Sequence, residues 1–265
     1  MYKKHFALGR YPFEKDLAAH ELFPSAATKE LEARLHYLLS LQGIGLITGE
    51  VGSGKTSVCR KVADSLHTGL YRLFYVPLTT GNVMDVYKSI AWEMGLATER
   101  SLAALYRSIR QEVYRLSLEA KIRPVLIIDE AQYLRNDILE NLRLLTNYEM
   151  DSQNRFCLML VGQAELRRRL AMAVHEPLAQ RVVVRYHMGG LAKDELPAYL
   201  EHRLRLAGTE LTLFEPPALE ALFQATNGLP RKVNLLAHLA MNAAAAQQAG
   251  SVTAEHVRAA VDETA

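Results

Sequence analysis

Short, mainly apolar runs alternate along this chain with longer stretches in which apolar residues return every three or four positions. The runs at 44–48, 70–77, 125–129, 156–161 and 182–187 predict five strands, and the stretches between them predict amphipathic helices. Strands alternating with helices indicate an α/β fold, a five-stranded parallel sheet with helices on both faces. Val125-Leu126-Ile127-Ile128 places four aliphatic residues in succession, which suits a central strand buried on both sides. Two helical stretches, 83–94 and 102–120, separate the second and third strands. A crossover needs only one, so about 79–120 reads as a helical insertion. After Gly189-Gly190 the strand-like runs stop, and four helices are predicted at 194–207, 217–226, 231–249 and 254–264. Gly208, Asn227-Gly228 and Gly250 punctuate them, with Thr253 as an N-cap. The expected division is therefore an αβα core over residues 1–190 and a small all-α domain over 191–265.

Composition agrees with a globular protein. At 265 residues, 49% hydrophobic and 23% charged, the chain can build one large core or two modest ones. No apolar run approaches a membrane span, and Met1-Tyr2-Lys3-Lys4-His5-Phe6 has no apolar signal region, so a cytoplasmic protein without membrane insertion is expected. Cys59 and Cys157 fall in apolar periodic segments and read as small buried hydrophobes, both reduced. A net charge of +2 defines no partner, but its distribution is uneven. Between Arg100 and Arg123, Arg107, Arg110, Arg115 and Lys121 are opposed only by Glu112 and Glu119, and Arg167-Arg168-Arg169 forms a second knot. Such a run is either a solvated helix face or a surface for phosphates.

The chemistry begins where the first strand ends. Gly49-Glu50-Val51-Gly52-Ser53-Gly54-Lys55-Thr56 fits G-x-x-x-x-G-K-[ST] between a strand and a helix starting near Ser57. Glycines there allow a tight turn whose N–H groups converge on a polyphosphate, Lys55 can reach the β/γ-phosphates, and Thr56 can ligate Mg²⁺. Residues Gly49 through Ser57 are thus the expected ATP-binding loop. The third strand ends in Asp129-Glu130, a Walker B pattern at the strand end where open α/β sheets bind ligands. Asp129 would hold the Mg²⁺ shell with Thr56, and Glu130 would orient or deprotonate the attacking water. The alternative is that Asp129 and Glu130 cap a helix from Ala131 onward.

A P-loop core followed by a helical lid resembles the AAA+ ATPases. From that resemblance, Leu229-Pro230-Arg231 looks like the sensor 2 motif, with Arg231 reaching the γ-phosphate; otherwise Arg231 is an exposed first-turn arginine. Gln163, after Leu160-Val161-Gly162, resembles the sensor 1 residue that aligns the water, although strand ends carry polar residues for other reasons. Arg181 in Leu178-Ala179-Gln180-Arg181-Val182 resembles an arginine finger acting on a neighbour's nucleotide, which implies self-association into a ring or helical filament. Its other reading is a salt bridge at the strand start, with Glu176 in reach.

Within AAA+ proteins, Tyr11-Pro12-Phe13, Leu22-Phe23-Pro24-Ser25, Ile128-Asp129-Glu130-Ala131-Gln132, Gly162-Gln163-Ala164-Glu165-Leu166 and Gly228-Leu229-Pro230-Arg231-Lys232-Val233-Asn234 resemble the ExeA/TniB/TnsC group, to which MuB is more distantly related. Secretion-type members continue into a membrane helix and a peptidoglycan-binding part. Because neither follows here, the resemblance implies a transposition helper that assembles on duplex DNA with ATP, selects a target and recruits a transposase. Thr79-Thr80-Gly81-Asn82 and the helix behind them resemble an initiator-type DNA-approaching insertion, with Lys88, Arg107, Arg115 and Lys121 available to phosphates. The alternatives are an ExeA-like ATPase energising secretion or envelope assembly, and a nucleotide-gated loader of a replication or recombination protein. Phe13 and Phe23 either border the base or staple the N-terminal segment down.

Overall fold

A computed structural model describes residues 2–77 and 81–264, apart from the side chain of Asp151. In chain order the helices and strands are α1 (Tyr2–His5), α2 (Ala26–Leu41), β1 (Ile44–Gly49), α3 (Lys55–Ser65), β2 (Tyr71–Val76), α4 (Val83–Glu93) and α5 (Leu102–Tyr114). They continue with β3 (Arg123–Ile128), α6 (Asn136–Leu145), β4 (Cys157–Gly162), α7 (Ala164–Leu170), α8 (Glu176–Ala179), β5 (Val182–Met188), α9 (Glu195–Leu206), α10 (Pro216–Thr226), α11 (Pro230–Ala246) and α12 (Ala254–Thr264). Every strand and C-terminal helix predicted from periodicity is present, with ends moved by three residues at most. Thr79 and Thr80, read as leading into the insertion, lie outside the described residues.

All five strands are parallel, in the order β2-β3-β4-β1-β5. Burial follows that order. β1 and β4 are buried at every position, whereas the edge strands β2 and β5 alternate, because only interior strands are covered by helices on both sides and flanked along both edges. The strand with four successive aliphatics, β3, is second from the edge and not central, but it is still flanked on both sides and buried from Pro124 onward.

The chain separates into two compact units, and they do not follow the linear division expected at residue 190. One comprises Glu30–Gly49 and Val58–Met188; the other comprises Met1–Lys29, Glu50–Ser57 and Gly189–Ala265. The sheet unit has its own core, built from Ile44, Leu46, Leu126, Ile128, Leu158 and Leu160 of the strands and from α4, α5, α6 and α7. The helical unit is built around α9 to α12, and Tyr2, Phe6, Leu8 and Phe13 of the N-terminal segment are buried in it. That segment has little regular structure, so its carbonyls need partners. Arg203, only 3% exposed, supplies them by donating to Pro12 O (2.6 Å) and Glu14 O (2.7 Å). Phe13 lies edge-on to Phe214, and Phe23 edge-on to Tyr199. Both aromatics therefore staple the N-terminal segment to the helical unit.

Candidate nucleotide site

β1, β3 and β4 are parallel, so their carboxyl ends share one edge of the sheet, where Gly49, Asp129 and Gln163 stand. From Gly49 the chain enters the loop of the helical unit. Gly52 (φ 83°) and Gly54 (φ 101°) hold left-handed backbone that other residues adopt only with strain, whereas Gly49 simply ends the strand. Ser53 is buried between them, and its N–H donates to Glu50 O at 3.2 Å. Lys55 is 9% exposed, and its Nζ donates to Glu50 O (2.8 Å) and to Ser53 Oγ (3.4 Å). The ammonium is thus folded over the loop that precedes it, where a phosphate would compete for it. Thr56 is exposed in the first turn of α3, with Ser57 behind it.

Arg231 belongs to the same unit and lies on this loop. Pro230 opens α11 at a position where a missing N–H costs nothing, and the Arg231 N–H that follows donates to Gly52 O at 3.2 Å. A Cβ on Gly52 would overlap Arg231 Cβ, so the close approach requires the glycine. The Arg231 side chain is exposed. Exposure in the first turn is what the alternative reading describes, and the backbone bond to Gly52 sets that turn against the loop. The entry turn is fixed by Asn227 (φ 49°) and by Gly228 O accepting from Leu191 N at 2.8 Å.

In the sheet unit, both oxygens of Asp129 are engaged. Oδ1 accepts from the Glu130 N–H at 2.8 Å and Oδ2 from the Tyr75 hydroxyl at 3.1 Å. Burial and then the Asp129 carboxylate push the Tyr75 hydroxyl above its ordinary range, so it remains a donor. Glu130 has left-handed backbone (φ 51°, ψ 33°), and the helix-cap alternative fails here: only a 3-10 turn follows at Ala131–Tyr133, without a side-chain cap bond, and α6 starts at Asn136. Its Oε2 accepts from Gln132 Nε2 at 2.6 Å, and Gln132 Oε1 in turn accepts from the Gln163 N–H at 3.0 Å. Gln163 precedes α7 without a side-chain cap bond and is partly exposed.

Sequence reasoning missed Tyr75 and Gln132. Tyr75 pairs with Ile127 in the register of β2 on β3, two residues short of Asp129, and only that register makes its role visible. Gln132 closes the stretch Ile128-Asp129-Glu130-Ala131-Gln132, and its signal is the spacing of an amide two residues after a carboxylate.

Arg181 is turned toward α6 of the same chain: Nη1 donates to Arg143 O (2.9 Å) and Thr146 Oγ1 (3.2 Å), at the end of that helix. Glu176 accepts from Gln180 Nε2 at 3.0 Å. The basic stretch is partly consumed internally. Arg110 lies over the Tyr148 ring (4.2 Å) with Tyr106 and Tyr114 alongside, and Arg115 is held by both oxygens of Glu112. Arg107 and Lys121 are exposed and Lys88 partly so.

The residues fit a magnesium nucleotide. In the sheet unit Asp129 offers hard oxygen donors; in the helical unit, taken by itself, the loop offers the Thr56 hydroxyl, backbone N–H groups and one ammonium. No cluster of three or more His, Cys, Asp or Glu capable of caging a metal occurs among the described residues.

A parallel sheet ending in a P-loop and a Walker B carboxylate, followed by helices, defines a P-loop NTPase of the AAA+ fold. Residues 38–170 match the AAA domain family, to which this chain belongs. General secretion pathway protein A of Aeromonas hydrophila is 36% identical over 250 residues, covering 93% of this chain and 45% of that protein. The chain thus spans about half the length of this curated relative. Among solved structures, Cdc6p from Pyrobaculum aerophilum superposes with a TM-score of 0.70 at 19% identity, covering 95% of this chain and 70% of that one. The Aeropyrum pernix ORC1 protein in complex with DNA gives 0.67 at 21% identity, covering 96% and 69%. These two likenesses establish the fold. The narrower resemblance to transposition helpers gains no support from these matches, which lie nearer the secretion-type members of the group.

Proposed function

We propose that this chain is an ATPase module that converts ATP to ADP and phosphate and drives a secretion or envelope-assembly complex through a protein partner. The observation that carries this reading is the 36% identity, over 93% of the chain, to a general secretion pathway protein. In the proposed cycle the N–H groups around Gly52 and Gly54 and the Lys55 ammonium bind the phosphates. Thr56 and Asp129 are the residues that would hold Mg²⁺, which would supply neutralisation of charge on the phosphate oxygens. Tyr75 keeps the Asp129 carboxylate oriented. Glu130 takes the proton of the attacking water, Gln163 aligns that water, and Arg231 carries the γ-phosphate's presence into α11. Arg181 serves a neighbouring copy after leaving Arg143 O and Thr146.

The transposition reading shares every ATP-binding residue with this one and differs only in partner: duplex DNA and a transposase. Steady-state hydrolysis with and without duplex DNA, at several salt concentrations, separates them. Turnover indifferent to DNA is expected, and Glu130→Gln should retain ATP binding while losing about 10²-fold or more in rate. ATP-dependent assembly on DNA with strongly stimulated turnover would replace the secretion reading with the transposition one.

A further inference from the structure

Gln132 is 6% exposed, and its amide is used at both ends. Oε1 accepts from Gln163 N–H at 3.0 Å, and Nε2 donates to Glu130 Oε2 at 2.6 Å. Partner chemistry fixes this orientation: a backbone N–H can only donate and so must meet the oxygen, while a carboxylate can only accept and so must meet the nitrogen. The main chain of Gln132 is pinned as well. Arg169 Nη1 donates to Gln132 O at 2.7 Å, and Arg169 Nη2 donates to Leu134 O at 2.7 Å and Asn136 Oδ1 at 2.9 Å, tying the turn to the start of α6. On the opposite side, a Cβ at Gly162 would fall 2.8 Å from Gln132 Oε1 and 3.2 Å from its N. The glycine at the end of β4 leaves the space that this amide occupies.

Glu130 is exposed and sits on left-handed backbone, so an untethered carboxylate there would sample several rotamers in water. We propose that Gln132 is a positioning residue: its buried amide holds the Glu130 carboxylate in one orientation and couples it to the end of β4, where Gln163 begins. The inference rests on the hydrolytic reading above. It assigns the orientation of the base to a side chain two residues downstream of it and on the same turn.

Gln132→Glu is the discriminating variant. It keeps the size and the acceptor for Gln163 N–H, but it removes the donor and sets a second carboxyl group against Glu130. An acceptor would then face an acceptor, and the bond that orients Glu130 is lost. The expected result is a kcat lower by about tenfold to a hundredfold, less than loss of the base itself, with KM for ATP unchanged. In a Glu130→Gln background the same change should cost nothing further. Gln132→Leu should likewise lower kcat at unchanged KM, and melting curves check that both variants fold. Wild-type kcat in Gln132→Glu, or a faster rate in Gln132→Leu, would overturn the proposal, the latter because Gln132 would then be holding Glu130 away from its work. If Glu130→Gln itself turns over like wild type, the hydrolytic reading of Glu130 fails first, and this proposal fails with it.

Discussion

Arg231 rests on Gly52. The backbone N–H of the arginine donates to the glycine carbonyl at 3.2 Å, and the arginine Cβ occupies the space a Gly52 side chain would need. A loop proposed to bind phosphate and a helix that would report on it are therefore joined at one residue of each, within one compact unit. Position, conformation and contact all call for glycine at 52.

Gly52→Ala is the direct probe of that junction. Left-handed backbone at a non-glycine residue costs roughly 1–3 kcal/mol, and the overlap with Arg231 adds to it. Nucleotide affinity should fall by about tenfold or more, and the melting temperature by several degrees. Fluorescent-nucleotide titration and a thermal melt check both. A variant that binds and melts like wild type would mean that α11 does not need to approach the loop so closely.

Arg181 has an established bond and a proposed one, and they make different predictions. Within its own chain it donates to Arg143 O and Thr146 Oγ1, and burial followed by the nearby Arg143 charge lowers its pKa from the ordinary arginine range. Charge-assisted bonds of this kind contribute about 1.5–3 kcal/mol before solvent screening at a partly exposed site, so Arg181→Ala should melt earlier. If the arginine also acts on a neighbour, turnover should fall by about 10³-fold or more. Mixing Arg181→Ala with Lys55→Ala subunits then decides the matter: the first contributes an intact nucleotide loop, the second an intact arginine. Recovery of activity on mixing is expected. Two inactive proteins that remain inactive together would confine Arg181 to its role at α6.

The fold was legible because periodicity and burial arise from the same cause. Fully apolar runs at β1 and β4 mark interior strands, and the alternating edge strand β5 still carried enough valine to be seen. The loop from Gly49 to Thr56 and the pair Asp129-Glu130 were legible because their chemistry demands a contiguous spelling. What the pattern could not show was assembly across distance. Nothing local in Tyr2, Phe6 or Phe13 says that they fill the helical unit, since their partners lie some 200 residues away in α9 to α12. Similarly, Arg110 reads as a surface cation until Tyr106, Tyr114 and Tyr148 surround it. A transposition partner is implied by the resemblance together with the insertion and its basic residues, none of which specifies a partner, whereas the 36% identity is to a general secretion pathway protein.

The two cysteines offer a simple test of core integrity. Cys157 is fully buried in β4, and burial alone pushes its thiol up to about 12, so the thiolate is scarce at neutral pH. Cys59 is 4% exposed in α3. Neither should react with a thiol reagent in the native protein, and both should react in denaturant. Rapid labelling of Cys157 under native conditions would indicate that β4 opens far more readily than its all-buried pattern implies.

His175 should give the stability a distinct acid limb. The ring is 2% exposed, and its Nε2 is 3.0 Å from Asn136 Oδ1, an acceptor, so Nε2 carries the proton of a neutral imidazole. Burial first, and the Arg169 charge second, lower its pKa below the ordinary 6.5, while Glu140 opposes them weakly. A base whose folded pKa is depressed binds its proton more readily in the unfolded chain. Stability is therefore complete above the unfolded pKa of about 6.5 and is lost as pH falls from there toward the lower folded value, below which the loss is constant. Urea unfolding of the wild type should show this decline on the acid side of 6.5, superposed on the titration of carboxylates. His175→Gln keeps a donor for Asn136 but cannot take up the proton, so its stability should fall less steeply over the same interval. Parallel curves for the two proteins between neutral pH and the folded pKa would show that His175 carries no linked proton.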